Sequence, residues 1–563
     1  MKINKTIAVC GAGIMKSNTI PYLFLFLILL FSCADKSPKA DLILNNANIW
    51  TGNEQQPTAQ AIAIAADTIL AIGTNEYIQT FKSAATEVLD AKGRFITPGF
   101  IDSHVHLLTG GRSLLSVELR DANTPEEFTK RIADHAKKVG PGEWILEGNW
   151  DHTLWGGELP NKDWIDAHTK DNPVVLYRLD GHMVLANSAA LRIAGIDKNT
   201  AEVASGKIIR NADGSPTGIL KSNAMDLVLA KIPTMNPAQQ AQSFKAAMNY
   251  FLSNGVTSVH DVDSLESYAI ANKLKNAGNL AVRVYQIKPV YKWKELVKMG
   301  SKNDKWVKTG GLKGFVDGSL GSHTAAFHHA YSDKADDKGF FIYSREDLYK
   351  WISAADREQF QVMVHAIGDK AIHSLLNIYE RIIQENGARD RRLRIEHAQH
   401  IDPVDIKRFA ELGVIASMQP YHAIDDGRWA EEVIGAERIK TTYAFKSLLA
   451  ANATIAFGSD WAVAPASPIQ GIYAATTRRT LDGKNPDGWV PEQKITVEQA
   501  LKAYTKDAAY ASFEEDIKGT LEKGKLADFV ILSEDLRKID PVKIREVEVL
   551  ATYVGGKKVF DNK

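Results

Sequence analysis

Short apolar strands alternate with helical stretches through the centre of the chain, and this order limits its fold more than any other feature. Helical patterns such as Asn236–Ser253, Arg345–Glu358 and Lys370–Glu385 separate the apolar runs. The alternation is typical of a parallel α/β fold, and 45% apolar residues in a 563-residue chain suit a large core. Eight strand–helix units predict a (β/α)8 TIM barrel, whose chemistry lies at the C-terminal ends of its strands. The predicted strands are Phe95–His104, Thr257–His260, Val282–Tyr285, Gly311–Val316, Gln361–His365, Leu393–His397, Val414–Met418 and Thr454–Ser459.

The two ends of the chain differ from this centre. Residues 34–97 and 513–563 are rich in short strands and turns, so we expect both ends to build one small β-sandwich beside a barrel of residues 98–512. The stretch between the first two barrel strands is too long for one strand–helix unit. It predicts an insertion over about residues 110–235 that covers the barrel mouth.

Residues 1–33 have the pattern of a lipoprotein signal peptide. The apolar run Tyr22–Phe31 is short for a membrane span, and Leu30–Cys33 resembles a bacterial lipobox, in which the cysteine receives the lipid. We expect an exported protein that a lipid on Cys33 anchors to a bacterial membrane. The outer membrane is favoured because the next residue is not aspartate. A plain anchor or secretory signal is the alternative, and Met15 is an alternative start to Met1.

Charge and cysteine content exclude several classes of partner and chemistry. The 68 basic and 68 acidic residues give a net charge of 0, which favours neither nucleic acid nor an anionic membrane surface as a partner. Cys10 and Cys33 are the two cysteines and both lie in the signal segment, so the body has no disulfide and no thiolate ligand or nucleophile. A homo-oligomer is compatible with the sequence.

Metal-ligating residue types follow several predicted strands. His104 and His106 are two residues apart, so on a strand they point to the same side and can share one ion. Hydrolytic metal sites need neutral imidazoles, a carboxylate and an open position for water. The sequence therefore predicts a metal-dependent hydrolase. Its candidate ligands are His104, His106, Lys313, His365, His397 and Asp460.

Lys313 is the unusual member of this set. An ammonium group beside two divalent cations would be repelled, but a carbamate formed from the amine and carbon dioxide is anionic and has two oxygens that can bridge metals. The alternative is an unmodified Lys313 that neutralises a carboxylate such as Asp317 at a mononuclear site.

Several motifs together resemble the amidohydrolase superfamily, in particular the amidohydrolase-3 group of N-substituted formamide deformylase-like proteins. The resemblance implies that His104, His106 and Asp460 hold the more buried metal, that His365 and His397 hold a second, and that a carboxylated Lys313 bridges them. One or two divalent ions are expected, with zinc the expected metal. The motifs are Pro98–His106, Asp317–Ala325, His365–Asp369, Glu396–Gln399, Gly458–Trp461 and Gly524–Asp528.

The resemblance also implies a reaction. We expect hydrolysis of a non-peptide C–N bond in a small-molecule amide, formamide or cyclic amide by a metal-activated hydroxide, with Asp460 as the general base. An ester or lactone hydrolase on the same site is one alternative. An inactive metal-binding surface lipoprotein is an alternative of another class.

Further residues are candidates for substrate contact, with a structural role as the alternative for each. His182 lies in the insertion, while His323 and His422 follow the fourth and seventh strands. Glu396 precedes His397 on a strand and so points away from it, which favours a supporting role. Three aromatic residues are candidates for lining a pocket or for packing: Trp150, Trp155 and Trp461.

Overall fold

A computed structural model describes residues 38–179, 183–203, 206–262, 265–300 and 304–562. Its largest sheet contains eight parallel strands in sequence order, which confirms the predicted (β/α)8 barrel. The barrel strands, labelled β1 to β8, are Phe100–Val105, Val256–Asp261, Arg283–Pro289, Val307–Phe315, Gln361–Ala366, Arg394–His397, Ile415–Met418 and Ile455–Phe457.

The ends of β1 and β8 meet and close the ring. The Asp460 N–H donates to the His104 carbonyl at 2.8 Å, and the His106 N–H donates to the Trp461 carbonyl at 2.6 Å. The buried Asp102 carboxylate accepts bonds from the backbone and hydroxyl of Ser459 at 2.9 and 2.6 Å. Closure therefore brings the residues after β8 directly against the histidine pair of β1.

Helices follow the strands. The three helices named from the sequence agree with the structure to within one residue at each end. The helix Pro237–Ser253 begins at a capping box. The Asn236 side chain accepts the backbone N–H of Gln239, and the Gln239 side chain accepts the backbone N–H of Asn236. Helices around the barrel and its mouth are Leu107–Leu114, Pro237–Ser253, Leu265–Asn276, Trp293–Met299, Arg345–Arg357, Asp369–Asn386, Ile406–Glu411, Pro420–Asp426, Ala430–Arg438, Phe445–Ala450, Pro468–Thr477, Val497–Ala503 and Lys506–Tyr510.

The predicted first strand, Phe95–His104, is wrong as one element. It divides at Gly99 into Phe95–Pro98, which joins a different sheet, and β1. A Cβ atom on Gly99 would lie 2.4 Å from the side chain of Thr257, so the chain passes between the sheets where only glycine fits. A continuous apolar run gives no sign of this change of sheet.

Two further sheets lie outside the barrel sheet, one built from N-terminal strands alone and the other from strands of both ends of the described chain. The C-terminal strand Phe529–Leu532 pairs antiparallel with Phe95–Pro98, and apolar side chains of the two sheets share one core. One helix, Asn75–Gln79, accompanies them. In sheet order, the four-stranded sheet has Thr68–Gly73, Ala61–Ala65, Leu42–Asn45 and Glu87–Asp90, and the six-stranded sheet has Lys557–Asp561, Val549–Val554, Phe529–Leu532, Phe95–Pro98, Asn48–Trp50 and Thr58–Ala59.

The long segment between β1 and β2 has a sheet of its own. Arg120 joins this segment to the barrel mouth, since its guanidinium donates to the carbonyls of Val463 and Ala462 at 3.1 and 3.3 Å. Its helices are Pro125–Ala136, Asp163–Asp166, Ser188–Ala194 and Asp226–Leu229. Its strands, in sheet order, are Gly206–Arg210, Pro216–Ser222, Met183–Ala186, Val174–Arg178 and Ile145–Trp150.

Among the helices of the described ranges, none combines the length and the apolar character that a bilayer crossing requires. The predicted signal segment and Cys33 lie outside the described residues.

Candidate metal centre

Three predicted ligands meet where β1 and β8 close the barrel. His104 is fully buried on β1, His106 follows that strand, and Asp460 comes three residues after β8. One Asp460 carboxylate oxygen lies 3.5 Å from His104 Nε2 and 3.3 Å from His106 Nε2. Ligand atoms of all three residues lie within 4.8 Å of one another, close enough to hold one ion.

The other predicted histidines lie beside this group. The ring centroids of His104 and His397 are 5.0 Å apart, and those of His365 and His397 are 4.5 Å apart. His397 and Asp460 both have left-handed backbone conformations, with φ of 72° and 59°. Such conformations are uncommon outside glycine and turn the chain sharply at the strand end. The structure thus brings all four histidines and Asp460 to one end of the barrel.

Lys313 reaches the same point from β4. Its Nζ lies 3.1 Å from His104 Nε2, and within the described ranges no carboxylate oxygen is within 4.0 Å of it. Burial lowers the pKa of Lys313 to about 8. Asp317 instead accepts backbone N–H bonds from Ala326, Ile367 and Gly368 at 2.8 to 3.0 Å. Asp317 therefore closes its loop and does not neutralise the lysine.

Three of the imidazoles each donate one ring N–H to a protein acceptor. Because a neutral imidazole carries a single N–H, the acceptor leaves the opposite nitrogen with a lone pair for a metal. The Nζ of Lys313 already lies against that lone pair on His104. The donor–acceptor pairs are His104 Nδ1 to Glu396 Oε2 at 2.5 Å, His365 Nε2 to the Gly318 carbonyl at 2.9 Å, and His397 Nδ1 to Gln419 Oε1 at 2.9 Å.

Glu396 is itself held by a second buried group. The Arg394 guanidinium donates to both oxygens of Glu396, at 2.7 and 3.0 Å, and also reaches His260 Nδ1 at 2.9 Å. All of these side chains are fully buried. The sequence showed only that Glu396 points away from His397. Its partner His104 is on β1, five strands earlier in the chain, and a single sequence does not show that pairing.

Electrostatics keep these candidate ligands in the protonation states that can bind a metal. Burial lowers the pKa of His104 to about 4 and of His365 to about 3, and it moves the pKa of His397 in the same direction. These imidazoles are therefore neutral at pH 7. Burial alone would raise the pKa of Asp460, but the opposing interactions, of which the hydrogen bond from His106 is the largest, hold that pKa well below its ordinary value. The donor set accordingly fits a divalent cation.

The remaining candidates lie elsewhere or are packed. His323 pairs with the Asp333 carboxylate at 2.9 Å on the surface. His422 is buried, and its Nε2 makes no hydrogen bond within the described part of the chain. His182 is outside the described residues. Trp150 and Trp461 are buried, and Trp155 packs beside Phe128, so none of the three is an open pocket wall.

The barrel and its ligand set define a metal-dependent hydrolase. The chain belongs to the amidohydrolase family, whose family model matches residues 87–560.

Relatives of this family align along almost the whole chain. Protein LONG AFTER FAR-RED 3 of Arabidopsis thaliana is 39% identical, over 92% of this chain and 92% of its own. N-substituted formamide deformylase of Arthrobacter pascens is 27% identical, over 92% of this chain and 97% of its own. The crystal structure of an uncharacterized metal-dependent hydrolase from Pyrococcus horikoshii superposes with a TM-score of 0.76 at 27% identity, over 89% of this chain and 99% of that one.

Proposed function

We propose that this protein hydrolyses a C–N bond other than a peptide bond in a small-molecule amide, formamide or cyclic amide. The observation that carries the proposal is the Asp460 carboxylate within 3.5 Å of two histidines whose imidazoles can share a metal. The similarity to a formamide deformylase supports the choice of bond.

The donor set would hold one or two divalent ions, with zinc expected. His104, His106 and Asp460 would bind the first, and His365 and His397 the second. A divalent ion bound there supplies a Lewis acid that polarises a carbonyl and lowers the pKa of a bound water to about 7.

Lys313 would join the two sites as a carbamate. Its neutral amine attacks the carbon of carbon dioxide, a new N–C bond forms, one C–O π bond opens onto oxygen, and the amine proton leaves to solvent. A buried amine with no carboxylate partner in the described ranges is suited to this step, because the free base is the nucleophile.

Asp460 would move the proton of the reaction. Its low pKa keeps the carboxylate ionised at neutral pH, so an oxygen is ready to accept a proton from the attacking water. It then returns that proton to the leaving nitrogen, which departs as an amine. Its closeness to His104 and His106 supports this role, because a metal held by these histidines would lie beside the carboxylate.

A substrate panel tests the proposed function. Zinc-loaded protein is assayed on N-formyl amides, N-acyl amides, hydantoins, and matched esters and lactones. We expect metal-dependent turnover of at least one C–N substrate. The rate enhancement for that substrate, which is kcat/KM divided by the uncatalysed rate constant, should be higher than the rate enhancement for its matched ester. Hydrolysis of the esters and lactones alone, or of nothing in a metal-loaded sample, would contradict the proposal.

We also propose that the enzyme is exported and anchored by a lipid on Cys33, on the strength of the sequence pattern alone. Cys33→Ser should move the protein from the membrane fraction to the soluble one, or leave its signal segment uncleaved. A wild-type mature N-terminus other than Cys33 would refute the anchor.

A further inference from the structure

We infer that Phe315 binds the acyl part of the substrate and selects amides whose acyl group is flat and apolar. This inference rests on the proposed function. It names a substrate class that differs from formamides, in which the acyl substituent is a hydrogen atom.

Phe315 is the last residue of β4 and lies directly beside the candidate ligands. It is two residues after Lys313, so both side chains point to the same side of the strand, and it is in register with His365 on β5. Its ring centroid is 4.9 Å from Lys313 Nζ and 5.3 Å from the His365 ring, with 38° between the two ring planes. The phenyl ring therefore forms part of the wall of the reaction site.

The ring is also open to solvent, with 37% of the residue exposed. Its strand neighbours Lys313 and Gly314 are buried, and so are Trp150 and Trp461. An exposed aromatic ring beside the polar side chains of Lys313 and His365 gains most when an apolar group covers it and displaces water. A planar group matches the ring best, because aromatic pairs favour offset-stacked or edge-to-face contact.

The position of Phe315 around the barrel indicates which half of the amide it meets. Asp460 follows β8 and gives its proton to the leaving nitrogen, so the amine half lies on the β8 side. In a ring of eight strands β4 is opposite β8. The group that reaches Phe315 is therefore the acyl half, on the other side of the reacting carbon.

The experiment compares Phe315→Ala with wild-type zinc-loaded protein on two matched panels. In the first, one amine carries formyl, acetyl or benzoyl groups; in the second, the acyl group is formyl and the amine is ethylamine or benzylamine. We expect the benzoyl-to-acetyl ratio of kcat/KM to fall roughly tenfold in Phe315→Ala, the scale of one lost aromatic contact with its buried area. The benzyl-to-ethyl ratio should not change.

Two control variants separate specificity from general damage. Phe315→Leu keeps apolar volume without a flat ring, so it should lose less of the benzoyl preference. Tyr77→Ala removes an aromatic side chain of a residue that is 51% exposed, on the helix Asn75–Gln79 outside the barrel, and should leave both ratios unchanged. Zinc content is measured for every variant.

The outcomes distinguish this inference from the proposed function. An unchanged benzoyl-to-acetyl ratio in a Phe315→Ala protein that still hydrolyses amides overturns the inference and leaves the function intact. A shift confined to the benzyl-to-ethyl ratio overturns the assigned orientation. Failure of metal-loaded wild type on every amide overturns the proposed function, and the inference with it.

Discussion

Asp460 has two assigned tasks, ligand and proton carrier, and the variant Asp460→Asn separates them. Asparagine keeps the size and one coordinating oxygen but cannot accept the proton. Metal should be largely retained while turnover falls by roughly two orders of magnitude or more, the scale for loss of a positioned general base. KM should change far less, since the lost interaction belongs to the transition state. Near-normal turnover in Asp460→Asn would make the residue a ligand only.

The Arg394–Glu396 pair gives a second prediction, about positioning. Because Glu396 accepts the His104 Nδ1 hydrogen, the Glu396→Gln variant should bind zinc about 10- to 100-fold more weakly, as for other lost partners of ligand histidines. Chelator competition measures this affinity. Glu437→Gln, at an exposed helical site, is the matched control and should bind zinc like wild type.

Glu396→Ala tests the stability side of the same pair. It leaves the buried Arg394 charge without its carboxylate, which should cost about 3–5 kcal/mol of unfolding free energy.

A Glu396→Gln variant with unchanged zinc affinity would contradict the positioning prediction, because it would show that the hydrogen bond to His104 does not position the ligand.

At the scale of residues, the sequence predicted which residues are candidate ligands but not the hydrogen-bond acceptors that orient them. The spacing of His104 and His106 and the strand-end positions of His365, His397 and Asp460 follow from local pattern, and the structure brings them together. The hydrogen-bond acceptors of these histidines are distant from them in the sequence. They are Glu396 for His104, the Gly318 carbonyl for His365 and Gln419 for His397. Such pairs depend on barrel register, which a single sequence does not display.

At the scale of elements, the junction of β8 with β1 positions Asp460. A Cβ atom on Gly458 would lie 2.6 Å from the His104 backbone nitrogen and 2.9 Å from an Asp102 carboxylate oxygen. Gly458→Ala should therefore force the two strand ends apart. We expect a loss of about 1–3 kcal/mol in unfolding free energy together with weaker zinc binding.

Denaturant unfolding and zinc content of Gly458→Ala check this prediction. Gly140→Ala is the control, because its added Cβ atom would meet nothing closer than 3.6 Å and its φ is not left-handed. Wild-type stability and zinc content in Gly458→Ala would mean that this contact does not position the ligands.

The same scale shows where pattern reading succeeds and fails. Helix bounds such as Pro237–Ser253 follow from capping residues and apolar spacing, which are local. The division of Phe95–His104 at Gly99 depends on contact with Thr257, more than 150 residues away, so the apolar run concealed it.

For the whole molecule, the length of the gap after β1 predicted an inserted unit, and the structure shows a five-stranded sheet there. The sequence did not show which side chains are exposed at the barrel mouth. Trp150 and Trp461 were candidates because of their residue type, but both are buried. Phe315 is exposed, because β4 ends just beyond Lys313. Side-chain exposure at a barrel mouth depends on the packing of several loops at once.

The central claim is that hydrolysis depends on metal held by these residues, and a titration tests it most directly. Metal-free protein is titrated with zinc while bound metal and turnover of an amide substrate are measured together. The account predicts no turnover without metal, a rise in parallel with bound zinc, and a plateau at about two ions per chain. Lys313→Ala should bind at least one ion fewer. Full turnover by metal-free protein, or saturation at a single ion with no added mass on Lys313, would contradict the account of the site.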